Sequence, residues 1–524
     1  MLVLDLGVVP ILTQVGATAA PALLAGLASL LALALRPRAW AAAARRRPLA
    51  ATALGLALLA LVVAMWSTAR PRATPPADAT PDWLAIGLAL GQATPPPPVP
   101  PPPQVEPPPT PVVFRGGYTR TGALAPALAP RRLQLAWRYR DSGGLVLSSP
   151  AAHGTRVFAA TCEFGLTGTA GTVFAVNAAD GRRLWANATL RDPASNAEFE
   201  LKGFFSSPAV SADGRNVVIG QGLHNDTDCA LLCLDAATGA LRWRVATPLH
   251  LESSPALADD LVVIGVGAIE GEGNQPIGDP GYVLAVDLAD GRERWRHALA
   301  DPESSPAICA GVVYIGSGFN GAAVVALRTA TDAELRARGE RRELWRVPCG
   351  QPMAGAIAVD DELVVAGGGN GNYLEPDPRP AGVVVAITRA TGQQRWRRDD
   401  LGDAVLAPPA LLPDRIVCTL RTGEVVALAR TDGQTLWRRQ VRPGQALLAG
   451  PSVAGQWLYV VTRDGYLTVL DGADGRVLEK HFLNDALAPG KDGLCISSPL
   501  LVGGCVYVGS ETGGLCAFAG EVPP

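Results

Sequence analysis

The sequence predicts an all-β protein folded as an eight-bladed β-propeller, in which an N-terminal strand closes the last blade. Three observations lead to this prediction: a turn-and-tryptophan phrase that recurs along the chain, a serine-proline segment that begins each repeat, and a composition rich in turn formers. The 524 residues include 58 Gly and 45 Pro, and 48% of them are hydrophobic. This composition suits many short strands joined by turns rather than a helical protein.

The recurring phrase is clearest at residues 233–243, which read CLDAATGALRW. Alternating apolar residues predict a strand, residues 235–239 predict a turn in which Gly239 takes a positive φ, and Trp243 lies on the next strand. Five copies place tryptophan four residues after the turn glycine, at Trp185, Trp243, Trp295, Trp396 and Trp437. Another copy has an insertion before Trp345, and another has Glu479 instead of tryptophan. Repeats of this size are typical of propeller blades.

The beginnings and ends of the repeats do not match in order. Segments related to SSPA begin eight repeats, near Ser148, Ser206, Ser253, Ser304, Gly355, Pro409, Pro451 and Ser497. The last repeat stops after its third strand, whereas a strand carrying Trp137 precedes the first SSPA. We therefore expect that strand to complete the eighth blade, which leaves no open sheet edge. Each tryptophan is expected to dock neighbouring blades, and Glu479 to leave a weaker contact at the seventh blade.

Residues 1–72 are predicted to anchor the protein in a membrane. The apolar runs 8–35 and 49–66 are each long enough to span a bilayer as a helix, and five arginines lie between them. The positive-inside rule places this loop in the cytoplasm, and everything after residue 66 on the periplasmic or extracellular side of the cell membrane. The alternative is that residues 45–65 form a signal peptide. Both interpretations export the rest of the chain.

The remaining chain divides into three predicted parts. Residues 73–113 contain a proline-rich stretch that predicts an extended polyproline II linker, residues 114–520 are the propeller, and residues 521–524 are a tail. The formal net charge is −3 and the arginines of residues 1–72 are almost unopposed, so the propeller is acidic. An acidic domain argues against a nucleic-acid partner.

The nine cysteines are scattered along the chain, without an adjacent pair or a CxxC pair. Cys505 and Cys516 flank a predicted hairpin and are the only two placed to form a disulfide. The alternative interpretation is that all of the cysteines are unpaired buried thiols.

The DAATGxxxW phrase, the SSPA segments and the sequence FRGGYTRTG at residues 114–122 together resemble the pyrroloquinoline quinone (PQQ) repeat family of eight-bladed propellers. This family includes quinoprotein alcohol dehydrogenases and BamB-like outer-membrane assembly proteins. The resemblance implies, for a dehydrogenase, a disulfide between adjacent cysteines beside the quinone and a calcium ion held by carboxylates and amides. The sequence has no adjacent cysteines and no CxxCH haem motif. We therefore expect no cofactor, with PQQ and calcium only if the dehydrogenase interpretation holds.

Candidate binding residues lie in the loops that do not repeat, since loops on a fixed scaffold carry most functional variation. Loops between second and third strands are elaborated in the first five predicted blades, and the segments HLESSPA and DPESSPA add polar groups on the same face. The candidate ligand-binding residues are His224, Asp226, Asp228, His250, Glu252 and Glu303. Further polar residues for an acidic pocket or hard-cation site are Glu163, Asn225, Glu272, Asp279 and Glu375. The alternative is that these side chains cap turns.

Three functions are compatible with this sequence. The first is a membrane-anchored, non-enzymatic scaffold that binds a protein or envelope ligand with its loop-rich face and carries no catalytic residues. The second is a quinoprotein-like oxidoreductase with PQQ. The third is a sensor that binds a metal or small ligand through His224, Asp226, His250 and Glu252.

Overall fold

The computed structural model describes residues 111–521 except 126–128, 142–143, 166–167, 225, 269–277, 279, 372, 374–375, 488–489 and 491–492. The two apolar runs, the alternative signal peptide and nearly all of the proline-rich linker lie outside the described residues. Within the described part of the chain, no helix has both the length and the apolar character needed to cross a membrane.

Eight antiparallel sheets, numbered here as blades in chain order, make up the fold. Blade 1 consists of the strands Ala151–His153, Arg156–Ala160, Val173–Asn177 and Arg183–Asn187, and blade 2 of Ala209–Val210, Asn216–Gly220, Cys229–Asp235 and Leu241–Thr247. Blade 3 consists of Ala256–Ala258, Leu261–Val266, Tyr282–Asp287 and Glu293–Ala298, and blade 4 of Ala307–Cys309, Val312–Ser317, Ala323–Arg328 and Glu343–Pro348. The prediction of an all-β propeller with eight blades is confirmed.

Blade 5 consists of the strands Ala358–Val359, Leu363–Gly369, Gly382–Thr388 and Gln394–Arg398, and blade 6 of Ala410–Leu411, Arg415–Thr419, Glu424–Ala429 and Thr435–Gln440. Blade 7 consists of Ser452–Ala454, Trp457–Thr462, Tyr466–Asp471 and Val477–Phe482, and blade 8 of Leu500–Val502, Cys505–Gly509, Leu515–Glu521 and Arg131–Tyr139. The fourth strand of blade 8 is thus the N-terminal strand that carries Trp137, paired antiparallel with Leu515–Glu521. This closure of the ring was predicted from the displaced tryptophan copy.

Smaller elements complete the fold. A 3-10 helix at Phe114–Gly116 and a strand at Ala123–Leu124 precede the first blade, and the latter pairs in parallel with Ser452–Ala454 of blade 7. Two short hairpins are Glu163–Phe164 with Thr169–Ala170, and Thr189–Arg191 with Glu198–Glu200. The insertion before Trp345 contains the α-helix Asp332–Arg338, which Thr331 and Glu334 begin with a capping box.

The second and third strands of each blade form most of the core. Leu261–Val266 is buried at every position, whereas in the fourth strand of the same blade, Glu293–Ala298, only Trp295 is buried and the other residues are exposed or half-buried. A strand that is packed on both faces consists of a continuous run of apolar residues, whereas a strand with one face in water also carries polar residues. The sequence pattern therefore reflects the distance of each strand from the propeller axis.

Each of the seven docking tryptophans contacts the next blade. The indole N–H of Trp185 donates to the carbonyl of Ala236, and its ring lies against the turn at Gly239, which has φ of 75°. The indoles of Trp137, Trp243, Trp295, Trp345, Trp396 and Trp437 donate to main-chain carbonyls of the following blades in the same way. Trp295 faces the blade that carries the insertion, and there the guanidinium of Arg342 covers its ring at 4.3 Å.

Glu479 occupies the tryptophan position at the eighth interface. Its carboxylate accepts hydrogen bonds from the N-terminal strand, including one from Arg131 Nε at 3.0 Å. A polar contact thus replaces the aromatic one at the seventh blade, and the expectation that it is weaker stays a prediction.

We call the side that carries the loops between second and third strands, and the connections from one blade to the next, the loop face. The loops between the second and third strands are long in blades 1, 2, 3 and 5, at residues 161–172, 221–228, 267–281 and 370–381. In blade 4 this loop consists only of residues 318–322. The expectation of five elaborated blades is thus wrong for blade 4, where the segment GSGFNGA at residues 316–322 begins inside a strand and leaves a loop of five residues. The connection 483–499 between blades 7 and 8 is also long.

All nine cysteines, each within the described residues, are free thiols. Cys505 pairs across the sheet with Ala519, and Cys516 with Val508. The two are therefore not cross-strand neighbours, and the alternative of unpaired buried thiols describes the structure.

Candidate functional site

The segments that lead into the first strands of the blades lie around the axis, and alternation along each segment places the side chains in layers. The upper layer, two residues before the second serine of SSPA or its equivalent, consists of Leu147, Phe205, Glu252, Glu303, Ala354, Leu406, Leu448 and Ile496. Six of these eight side chains are apolar. Glu252 and Glu303 therefore place two neighbouring carboxylates in an otherwise apolar ring.

The next layer down is formed by the second serine of each SSPA segment. The main-chain N–H of Ser149 donates to Ser207 Oγ, that of Ser207 to Ser254 Oγ, and that of Ser254 to Ser305 Oγ, each at 2.9 Å. Ser498 continues the series to Ser149 Oγ at 2.9 Å. Ala356, Pro408 and Gly450 replace serine in blades 5 to 7. The repeated serines thus link neighbouring blades at the axis.

The floor of the axis is closed by residues 112–124, which we call the lead-in segment. Main-chain hydrogen bonds join this segment to the first strands of several blades, including Ile308 N to Tyr118 O and Leu411 N to Thr121 O. The Tyr118 hydroxyl donates to the carbonyl of Val210 at 2.7 Å. FRGGYTRTG is therefore a plug that ties several blades together from below.

Two buried arginines anchor this plug. Arg115 donates to the carbonyls of Pro409 and Pro451, and Arg120 donates to those of Pro306, Ser254 and Pro255. Burial lowers the pKa of both guanidinium groups to about 9, so both remain charged at neutral pH. Their partners are main-chain dipoles at the ends of the first strands.

At the loop-face end, four of the predicted candidate residues come together. One ligand atom from each of His224, His250, Glu252 and Glu303 lies within 4.8 Å of every other. His224 Nδ1 is 2.9 Å from Glu252 Oε1 and 3.2 Å from Glu303 Oε1, and His250 Nε2 is 3.4 Å from Glu303 Oε1. We call these four side chains the His–Glu cluster.

The fold explains why these residues meet. His250, Glu252 and Ser254 are each two residues apart in the connection from blade 2 to blade 3, so their side chains point to the same side of the chain. Glu303 holds the equivalent position in the next connection, two residues before Ser305. His224 comes from the extended loop 221–228, and its main-chain N–H donates to Glu252 Oε1 at 2.8 Å. Adjacent blades therefore bring together residues that are far apart in sequence.

The cluster is largely shielded from water. The His250 side chain is fully buried, and those of Glu252 and Glu303 are 8% and 11% exposed, whereas that of His224 is 44% exposed. Burial alone would raise the pKa of Glu252, but charge and hydrogen bonds from His224, with charge from His250, outweigh it and hold the pKa well below its usual range. Glu252 is therefore a buried carboxylate that stays ionised.

Phe205 of the upper layer packs against Tyr373 from the blade 5 loop, with ring centroids 5.1 Å apart at an interplanar angle of 62°. Burial raises the pKa of the Tyr373 phenol, and the negative charges of Glu303 and Glu252 raise it further. Tyr373 therefore remains neutral beside two carboxylates. Together with the two layers and the Phe114 ring, these aromatic side chains line an axial cavity of about 60 Å³.

The other predicted residues lie apart from the cluster. Asp226 is buried, but its carboxylate accepts hydrogen bonds from Thr169 and from the N–H of Leu223. Asp228 is exposed, with φ of 54°. The bond from the N–H of Leu223 is the contact that the turn-capping alternative predicts for Asp226. Asn225, Glu272, Asp279 and Glu375 lie outside the described residues, so the hard-cation site that they would complete stays a prediction.

Sequence reasoning missed Tyr373, Arg115, Arg120 and the serine layer as parts of this region. The two arginines stood in a motif quoted only for its family likeness, and the serines only as markers of repeats. A usable signal was present at the position two residues before the second serine of each SSPA segment, where glutamate replaces an apolar residue in two of the segments.

The family described as the outer membrane protein assembly factor BamB matches residues 169–275, 279–379 and 380–521, which is more than half of the chain. The chain belongs to this family. A curated relative is the quinohemoprotein alcohol dehydrogenase ADH-IIG of Pseudomonas putida, 25% identical over 280 residues, which is 51% of this chain and 34% of that protein. The chain thus spans about a third of the length of this relative.

Solved structures share the fold at low identity. BamB from Moraxella catarrhalis is 18% identical with a TM-score of 0.53, over 74% of this chain and 99% of its own. The quinohemoprotein alcohol dehydrogenase of Comamonas testosteroni is 15% identical with a TM-score of 0.54, over 78% of this chain and 80% of its own. Both likenesses concern the propeller fold.

The BamB family and these dehydrogenases share one fold, so the size of PQQ can be compared with the space at the propeller axis. A cavity that holds a single benzene ring in a protein measures about 150 Å³, whereas the axial cavity here measures about 60 Å³. The space between the aromatic side chains and the lead-in segment is therefore smaller than a tricyclic quinone.

Proposed function

We propose that this member of the BamB family is a non-enzymatic binding module that recognises a protein partner through its loop face. In this proposal the N-terminal apolar runs tether it to the cell membrane, with the propeller on the periplasmic or extracellular side. The observation that carries the proposal is the filled axis: the lead-in segment, the serine layer and the Phe205–Tyr373 pair leave about 60 Å³ where a dehydrogenase needs a cofactor.

Two exposed apolar side chains on the loop face support partner binding there. Phe164, in the hairpin of the blade 1 loop, is 57% exposed, and Leu487, in the connection 483–499, is 96% exposed. Large apolar side chains presented from extended loops are a common feature of protein-binding surfaces. Blade 8 lies between these two loops in the ring, so both belong to one side of the loop face.

Site-specific photo-crosslinking tests this proposal. A photoreactive phenylalanine analogue replaces Phe164 or Leu487 in the full chain, in its native membrane. The matched control is Leu436, which is 50% exposed but lies on an outer strand away from the loops. We expect one discrete crosslinked protein from both loop positions and none from Leu436. Equal crosslinking from all three positions, or none from either loop position, would contradict the proposal.

The oxidoreductase alternative has its own test. The purified chain is incubated with PQQ and Ca²⁺, and alcohol-dependent reduction of an artificial electron acceptor is followed. We expect no turnover above that of PQQ and Ca²⁺ without protein. Saturable turnover that depends on both PQQ and the protein would overturn the assignment as a non-enzymatic module.

A further inference from the structure

The spacing of the four atoms in the His–Glu cluster is close to that of a tetrahedral metal site. Zinc bound by imidazole nitrogen and carboxylate oxygen has ligand distances of about 2.0–2.2 Å, so the ligand atoms of a tetrahedron lie about 3.3–3.6 Å apart. Three of the separations here are 2.9, 3.2 and 3.4 Å, and all are within 4.8 Å. An ion could therefore be bound with only small movements of the side chains.

The chemistry of the donor set selects the class of ion. Imidazole nitrogens suit zinc and the later first-row transition metals, whereas calcium and magnesium are bound mainly by oxygen. A metal ion binds imidazole in its neutral form, so the ligand set carries only the −2 charge of the two carboxylates, which a divalent cation neutralises. Buried carboxylates held in an apolar ring favour such neutralisation, because an unpaired buried charge is costly.

His250 provides a separate indication of a ligand. Its side chain is fully buried, no partner for Nδ1 is found among the described residues, and Nε2 reaches Glu303 only at 3.4 Å. Buried polar groups in proteins almost always have partners, and an exception often marks a bound water or ion. Gly267 leaves space for the His250 imidazole, because a Cβ at this position would lie 2.3 Å from His250 Nε2.

We propose that His224, His250, Glu252 and Glu303 bind one divalent transition-metal ion of the zinc type in a closed, four-ligand site. His224 comes from a loop of blade 2, His250 and Glu252 from the connection to blade 3, and Glu303 from the connection to blade 4. The ion therefore links three consecutive blades beside the axis. Four protein ligands leave no open position, as in structural zinc sites, so the role is to stabilise the loop face. The partly exposed imidazole of His224 provides the path for the ion.

Metal binding to the full chain, with any affinity tag removed, tests this proposal. The protein is stripped with a chelator and titrated with Zn²⁺ in competition with a chromogenic chelator, and bound metal is counted by mass spectrometry. We expect one Zn²⁺ per chain and a higher thermal midpoint with Zn²⁺, because a ligand that binds only the folded state stabilises it. Glu303→Gln and His250→Gln should each weaken binding by at least about tenfold.

His297→Gln is the matched control, because it removes a different histidine that is paired with Glu343 at 3.3 Å. It should bind Zn²⁺ like the unchanged chain. If the buried substitutions prevent folding, His224→Gln replaces them, since this side chain is 44% exposed. Co²⁺ reports the geometry, because tetrahedral Co²⁺ absorbs visible light far more strongly than octahedral Co²⁺.

Three results would overturn the proposal. They are the absence of stoichiometric Zn²⁺ binding by the unchanged chain, unaltered binding in the folded cluster variants, and a weak octahedral Co²⁺ spectrum. Preference for Ca²⁺ over Zn²⁺ would equally contradict it. None of these measurements depends on a protein partner, so the metal site and the proposed binding function succeed or fail separately.

Discussion

Glu479 Oε2 accepts a hydrogen bond from the main-chain N–H of Leu133 at 2.9 Å, and its Oε1 accepts one from Arg132 at 2.8 Å. At the other interfaces an indole N–H donates to a carbonyl of the following blade, as Trp437 does to Gly472. Blade 8 has no turn between its third and fourth strands, because these come from opposite ends of the chain. The N-terminal strand presents N–H groups there instead, so an acceptor takes the place of the indole donor.

The first prediction concerns this contact. Glu479→Gln places an amide N–H₂ against main-chain donors, and we expect the free energy of unfolding to fall by about 1–3 kcal/mol. The matched control is Glu293→Gln, on an equivalent outer strand, whose carboxylate is paired with Arg296 and 38% exposed. It should change the free energy of unfolding by less than about 0.5 kcal/mol. Denaturant unfolding measures both; equal stability of the two variants would refute this account of the closure.

The same carboxylate predicts a pH dependence. Burial raises the pKa of Glu479, but hydrogen bonds from Arg132, Leu133, Arg131 and His481 outweigh it and lower the pKa. Stability from a lowered carboxyl pKa is present above the unfolded value of about 4.3 and is lost as the pH falls through the folded value. The stability difference between the unchanged chain and Glu479→Gln should thus be full at pH 6–7 and shrink below about pH 4. A constant difference across this range would exclude the ionised carboxylate as the cause.

Gly239 and Gly154 both have left-handed backbone, with φ of 75° and 56°. Alanine at either position costs about 1–2 kcal/mol for that conformation. A Cβ at Gly239 would also lie 2.6 Å from Cε3 of Trp185, whereas one at Gly154 meets nothing within 4 Å. We expect Gly239→Ala to cost about 1–3 kcal/mol more than Gly154→Ala, because only the former is overpacked. Thermal or denaturant unfolding shows the difference, and equal losses would mean that the tryptophan is not held against the turn.

Arg120 ties the lead-in segment to the axis with a fork that lysine cannot reproduce. Its Nε donates to Pro306 O at 2.5 Å, and its Nη2 donates to Ser254 O and Pro255 O at 2.8 and 2.9 Å. Arg120→Lys keeps the buried charge but loses at least one of these bonds, so we expect a loss of about 1–3 kcal/mol in unfolding free energy. The exposed Arg182→Lys is the control and should stay within about 0.5 kcal/mol. Similar stabilities of the two variants would argue against an anchoring role for Arg120.

The thiols predict a labelling pattern. Cys309 alone is half-buried, whereas the other eight cysteines are buried. Burial raises the pKa of thiols such as Cys162 and Cys418 to about 12. A thiol reagent at pH 8 should therefore label at most one cysteine in the native protein, and this labelling should disappear in Cys309→Ser. After denaturation without reductant, the reagent should label all nine cysteines. Seven sites after denaturation would instead mean that one pair, such as Cys505 and Cys516, is bridged.

The candidate site was predictable where local sequence controls direction. His250, Glu252 and Glu303 stand in extended segments next to a recurring motif, so their positions relative to the repeated serines indicate that they face the axis. Asp226 carries the same chemical signal as Glu252, yet it serves to hold two loops together. Its role depends on the contact with Thr169 of blade 1, which no spacing within blade 2 reveals.

The sequence by itself determined the number of blades, the closure by the Trp137 strand and the docking positions, because a repeat encodes the same short-range turns and strand alternation each time. Only the tertiary structure decided that the axis is plugged, that Glu479 reverses the polarity of one interface, and that two histidines and two glutamates meet. These features arise from contacts between blades. Such contacts depend on where the ring places each blade, and not on the local pattern within any one of them.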